Sequence, residues 1–125
     1  MRFKDDPDLN GCRVLVVEDE HLLADDACSA LLKRGAEIVG PVPDLPRGLK
    51  LAQQESIDCA VLDINLRGED GFPIAAELDR RSIPFVFVTG YEPFVIPAGL
   101  HAAAHLQKPV DYNQLARLVG ELCGR

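Results

Sequence analysis

The chain has 125 residues and a formal net charge of -7. That acidity, with no basic stripe to neutralise phosphates, excludes a nucleic-acid footprint. Hydrophobic residues at 47% and charged residues at 26% describe a globular protein, and a single domain of this size buries about two-thirds of the surface its unfolded form exposes.

No apolar run reaches the length of a membrane-spanning helix, and the start Met-Arg-Phe-Lys-Asp-Asp-Pro-Asp lacks the apolar segment of a signal peptide. The expectation is a cytoplasmic protein without membrane insertion. Cys12, Cys28, Cys59 and Cys123 lie far apart and form no CxxC or Cys/His cluster, so they are expected as reduced core thiols and not as a zinc site.

Residues 1–11 read as a short polar lead-in and 12–125 as one domain, with no linker or second domain after it. Arg13-Val14-Leu15-Val16-Val17 is a β-branched run without polar alternation, the pattern of a strand covered on both faces. Glu18-Asp19-Glu20 ends it. Over 21–34 the apolar residues Leu23, Ala27, Ala30 and Leu31 fall at helical spacing, and Gly35 stands where a helix C-cap belongs. Ala36-Glu37-Ile38-Val39-Gly40 predicts a strand stopped by Pro41 and Pro43. Leu45, Leu49 and Ala52 then predict a helix to about residue 55.

The third strand is predicted over 58–63. A helix follows over 71–81, with Pro73 in its first turn and Ile74, Ala75 and Leu78 facing inward. Pro84-Phe85-Val86-Phe87-Val88 is the fourth strand. Two prolines, Pro93 and Pro97, leave the stretch 91–99 a loop with one or two helical turns at most. A short strand over 102–107 ends at Lys108-Pro109, and Leu115, Leu118, Val119 and Leu122 line a final amphipathic helix.

Five alternations of strand and helix imply a parallel sheet with helices on both faces, and ligands of such sheets sit at the carboxyl ends of the strands. Glu18 and Asp19 follow the first strand, Asp63 ends the third, Thr89 the fourth, and Lys108 the fifth. Taken singly, each has an ordinary use as a cap, a turn residue or a solvated side chain. Together they converge on one edge.

Three carboxylates brought close repel one another, each pair at about 4 Å by on the order of 4 kcal/mol at an effective dielectric near 20. Such a cluster needs a cation. Mg2+ takes one or two carboxylates with waters and phosphate oxygens, which suits Asp19 and Asp63 with Glu18 through water. One oxygen of Asp63, on the central strand, then serves as a nucleophile toward phosphorus, while Lys108 pairs with the new phosphate and the Thr89 hydroxyl donates to it.

In these residues the sequence resembles the receiver domain of two-component response regulators. The resemblance covers residues 12–123 and rests on Val16-Val17-Glu18-Asp19-Glu20, Leu62-Asp63-Ile64-Asn65-Leu66 with Gly68 and Gly71, Thr89-Gly90, and Lys108-Pro109. It implies a five-stranded flavodoxin-like fold of strand order 2-1-3-4-5 with a short or irregular fourth helix. Asp63 would accept a phosphoryl group from a sensor histidine kinase or a His-phosphotransfer protein. Glu18, Asp19, Asp63 and the Asn65 main-chain carbonyl would serve Mg2+, and Thr89 and Lys108 would engage the phosphate. The module would be a phosphoacceptor and not a classical enzyme, a monomer or weak dimer that signals through an unknown downstream protein or serves as a phosphate relay or sink.

Phe87-Val88-Thr89-Gly90-Tyr91 also resembles the loop of an alphaproteobacterial receiver subgroup nicknamed FATGUY. Where receivers commonly carry Tyr or Phe three residues before the Lys, this chain has His105, so the expected switch set is Thr89, Tyr91 and His105. Segment 91–103 is expected to become ordered when Thr89 captures phosphate. Two other functions fit parts of the pattern. A haloacid-dehalogenase-like phosphatase also uses a nucleophilic Asp and Mg2+, but it needs a second Asp where Asn65 stands. A pseudo-receiver that only docks would have lost acids or the Lys, and none is lost here.

Overall fold

The computed structural model describes residues 6–90 and 97–124. Its main sheet holds five parallel strands in the order β2-β1-β3-β6-β7, formed by β1 (Arg13–Val17), β2 (Glu37–Val42), β3 (Cys59–Asp63), β6 (Phe85–Thr89) and β7 (Ala104–Gln107). Counting these strands alone gives the expected order 2-1-3-4-5. Among the described residues there are four helices: α1 (His21–Leu32), α2 (Leu45–Gln54) and α3 (Phe72–Arg80) lie between successive strands of this sheet, and α4 (Tyr112–Leu122) follows β7.

Successive side chains of a strand point to opposite faces, and this sheet uses both. Val14, Val16, Cys59, Val61, Val86 and Val88 meet Ala27 and Leu31 of α1 and Leu115 and Val119 of α4. Leu15, Val17, Ala60, Leu62, Phe85 and Phe87 meet Ala52 of α2 and Ile74 and Leu78 of α3. Two covered faces explain why the central strands read as continuous apolar runs.

Local signals set the helix starts. Asp44 caps α2 by accepting from the Arg47 amide at 3.0 Å, and Asp111 caps α4 by accepting from Asn113 and Gln114. Pro46 and Pro73 occupy first-turn positions of α2 and α3, where no helical donor is lost.

The structure departs from the expectations in four places. Strand β2 does not stop at Pro41 but runs to Val42, because it lies at the sheet edge and its register to β1 shifts between Leu15 and Val17. A bulge on an edge strand tolerates a residue without an amide donor. A second, two-stranded sheet follows β3: β4 (Asn65–Leu66) pairs antiparallel with β5 (Glu69–Asp70) around Arg67 and Gly68, whose φ values are 55° and 86°. Two positive φ values match a primed hairpin turn.

The third departure is at the amino terminus, where Leu9, in the stretch expected as a polar lead-in, is fully buried. Pro7 lies against Gly120 of α4, and the buried Arg34 guanidinium donates to Asp6 at 2.6 Å, to the Ala30 carbonyl at 2.7 Å and to Asn113 at 2.9 Å. The fourth concerns the cysteines. Cys28 and Cys59 are free and buried as expected, but Cys12 and Cys123 form a disulfide, and the Cys59 sulfur lies 3.5 Å from that of Cys123. The parallel sheet sets the starts of β1 and β3 side by side, and α4 ends there, so a sequence separation of 111 disappears in space.

Where a fourth helix was expected to be short or irregular, residues 91–96 lie outside the described part. Between Pro97 and Ala103 there is a turn closed by the Leu100 amide on the Pro97 carbonyl, and no helix. None of the described helices is long and apolar enough to cross a membrane.

Candidate phosphoacceptor site

The pairing register fixes which chain ends meet. Val17 lies opposite Leu62, Asp63 opposite Val88, and Thr89 opposite Gln107. Glu18 and Asp19 after β1, Asp63 at the end of β3, Thr89 at the end of β6 and Lys108 after β7 therefore share the carboxyl edge of the sheet, as the sequence predicts. The Lys108 amide donates to the Thr89 carbonyl at 2.8 Å, which anchors the lysine to the end of β6.

Asp63 is only 3% exposed. One of its oxygens, Oδ1, accepts from the Asn65 amide at 3.1 Å. The other, Oδ2, accepts from Lys108 Nζ at 2.9 Å. The same ammonium lies 3.1 Å from Glu18 Oε1 and 3.2 Å from Glu20 Oε1. One cation thus serves three carboxylates, two of them buried.

The electrostatics show how poorly that single charge balances the cluster. Burial first, and then the neighbouring Asp63 carboxyl, push Glu18 from 4.5 to about 8. For Lys108 burial pulls the other way, but the Asp63 and Glu18 carboxylates outweigh it and hold the ammonium above its ordinary value. A further cation among these oxygens would remove the conflict.

Glu18, Asp19 and Glu20 bring their carboxylate oxygens within 4.8 Å of one another. Glu20 was not among the predicted site residues; it precedes α1 at the N-cap position without making a side-chain cap, which frees its carboxylate to reach Lys108. Arg67 was missed as well: its amide donates to Asp19 Oδ2 at 3.2 Å, so the β4–β5 hairpin closes over the acidic pair. The signal for it was the Arg67-Gly68 pair, whose turn points that amide back toward β1. Asn65 stands at the hairpin's start, where its side chain accepts from the Gly68 amide at 3.1 Å.

Gly71 sits where the hairpin returns under the site. A Cβ there would fall 2.6 Å from the Asp63 carbonyl oxygen, and its amide donates to the Ile64 carbonyl at 2.6 Å. Of the switch residues, Thr89 is half-buried and His105 is exposed on β7, its ring edge-on to Phe87 with centroids 5.9 Å apart. Tyr91 lies outside the described residues.

The chain matches the family model of the response regulator receiver domain over residues 14–120. It is 33% identical over 113 residues to an uncharacterized response regulatory protein of Yersinia pestis, covering 88% of this chain and 48% of that one. The chain thus spans about half the length of the curated relatives it matches. Among solved structures it is similar to SdrG from Sphingomonas melonis Fr1, with a TM-score of 0.76 and 35% identity over 89% of this chain and 95% of that one. It also resembles the receiver domain of a sensor histidine kinase from Pseudomonas aeruginosa PAO1, a structure with a magnesium ion coordinated in its active-site cleft. There the TM-score is 0.77 and the identity 21%, over 92% and 99% of the two chains. The sheet order, the acidic edge and the family match agree, and the chain belongs to the response regulator receiver domain family.

Proposed function

We propose that the domain accepts a phosphoryl group on Asp63 from a sensor histidine kinase or a His-phosphotransfer protein, and that it passes the signal on by binding a protein partner or relaying the phosphate. The observation that carries this reading is the nearly dry Asp63 carboxylate held 2.9 Å from Lys108 Nζ beside two further acids.

An Mg2+ ion fits the donor set. Glu18, Asp19, Asp63 and the Asn65 main-chain carbonyl are all hard oxygen donors, and the Lys108 ammonium is shared among Glu18, Glu20 and Asp63. Bound there, the ion would neutralise the carboxylates and the incoming phosphoryl oxygens. Magnesium in the cleft of the Pseudomonas receiver supports the same assignment.

In the transfer, an Asp63 carboxylate oxygen attacks phosphorus and forms the O–P bond of an acyl phosphate as the P–N bond to the donor histidine breaks. The bond's electron pair leaves on the imidazole nitrogen, which takes up a proton. Lys108 exchanges its contact with the free carboxylate for one with a phosphate oxygen, and the Thr89 hydroxyl donates to another. Slow hydrolysis of the acyl phosphate returns Asp63. Assignment to the FATGUY-like subgroup is the finer reading and rests on Phe87-Val88-Thr89-Gly90-Tyr91; a cytoplasmic location is part of the same proposal.

Intact mass after incubation with acetyl phosphate tests the function. One phosphoryl adduct is expected on the wild type with Mg2+, and none on Asp63→Asn or without the metal. An adduct that persists on Asp63→Asn would contradict the assignment.

A further inference from the structure

The opposite edge of the sheet holds chemistry that the phosphoacceptor does not use. Cys12 stands immediately before β1, Cys59 opens β3, and Cys123 caps the end of α4. Their sulfurs all lie within 4.8 Å of one another. Cys12 and Cys123 are bonded, with Cα atoms 6.1 Å apart, inside the range a disulfide spans. The third sulfur, Cys59, is in contact with Cys123 at 3.5 Å.

We propose that Cys12, Cys59 and Cys123 form a redox centre that exchanges with a low-molecular-weight thiol–disulfide couple, with Cys123 common to two alternative linkages.

Access favours Cys123 as the shared sulfur, because Cys12 and Cys59 are fully buried and Cys123 is only partly buried at a helix end. Reduction consumes two small thiols: the first attacks Cys123 and releases Cys12 as a thiolate, and the second resolves the mixed disulfide, leaving two protein thiols and one small disulfide. The internal step needs no outside reagent. Cys59 loses its proton and attacks Cys123; the Cys59–Cys123 bond forms as the Cys12–Cys123 bond breaks, and Cys12 takes up the proton. Burial first, then the Asp58 carboxylate, push the Cys59 thiol up to about 12, so Cys59 rests protonated beside the Cys12–Cys123 bond.

Either linkage fastens the end of α4 to the sheet, at the start of β1 or of β3. The other end of α4 follows the Lys108 loop, and the centre lies four residues along β3 from Asp63, about 13 Å at the usual strand rise. The redox state therefore decides whether α4 is covalently held at the end remote from the phosphoacceptor.

The test equilibrates the protein in glutathione buffers from reducing to oxidising, alkylates it under denaturing conditions and maps the peptides. The wild type is expected to lose two thiols in one two-electron step and to give the Cys12–Cys123 peptide. Cys59→Ser is expected to keep that linkage, and Cys12→Ser to form Cys59–Cys123 in the same buffers. Amides in the last turn of α4 are expected to exchange on the order of tenfold faster in the reduced protein. A folded Cys12→Ser that keeps all its thiols, or carries only mixed glutathione adducts, overturns the proposal, as does equal amide protection in the two redox states. If Cys12→Ser does not fold, the wild type decides: a minor Cys59–Cys123 peptide supports the exchange, and its absence overturns it.

Discussion

A carboxylate at 3% exposure demands partners, and Asp63 has them in the Asn65 amide and the Lys108 ammonium. Its place at the end of an apolar strand made that demand visible in the sequence, and Glu18, Asp19, Thr89 and Lys108 were legible because each ends or follows a strand of the same parallel sheet. Glu20 was not, since nothing in the sequence distinguishes a capping acid from one that reaches across to a lysine 88 positions away. Buried thiols show the same environmental control. Burial, and then Asp25, push Cys28 from 9.0 to about 11, so its native thiolate fraction at pH 8 is about 100-fold below that of an open thiol. Iodoacetamide should modify Cys28 about 100-fold more slowly in the native than in the unfolded protein, as peptide mass spectrometry would show; equal rates would contradict the burial. The folded value exceeds the unfolded one, so this group's contribution to stability is whole below pH 9 and is lost as pH rises toward about 11.

At the scale of elements, the long apolar strands and the three-to-four periodicity of the helices were legible because packing on both sheet faces dictates them. Short elements were not. Strands of two residues, such as β4 and β5, carry no periodicity, and Pro41 reads as a stop unless its strand is known to be an edge. That hairpin has a consequence for chemistry through Gly71. Replacing Gly71 with Ala would set a methyl group against the Asp63 carbonyl oxygen, backbone that cannot rotate away. Gly71→Ala should slow phosphorylation by acetyl phosphate about tenfold or more, because displacement of the nucleophile is costly even when the acids remain. An unchanged rate would show that the hairpin does not position Asp63.

Across the whole molecule, contacts distant in sequence were the least legible. The expected separation of four cysteines gave way to a cluster of three, and a lead-in read as polar contributes Leu9 to the core. Arg34 joins these distant parts, holding Asp6 before the first strand and Asn113 in the last helix. Arg34→Ala should lower unfolding stability in urea by about 2 kcal/mol, since it removes charge-assisted hydrogen bonds from a buried position; a change under a few tenths would show that the Arg34 side chain does not hold the amino-terminal stretch.

The proposed phosphorylation of Asp63 is open to direct reading. An acyl phosphate is reduced by borohydride to the alcohol, so protein treated with acetyl phosphate and Mg2+, then with borohydride, would carry homoserine at the phosphorylated position. Peptide mass spectrometry is predicted to find homoserine at position 63 and at no other aspartate. Unaltered Asp63, or homoserine at Asp19 or elsewhere, would contradict the assignment.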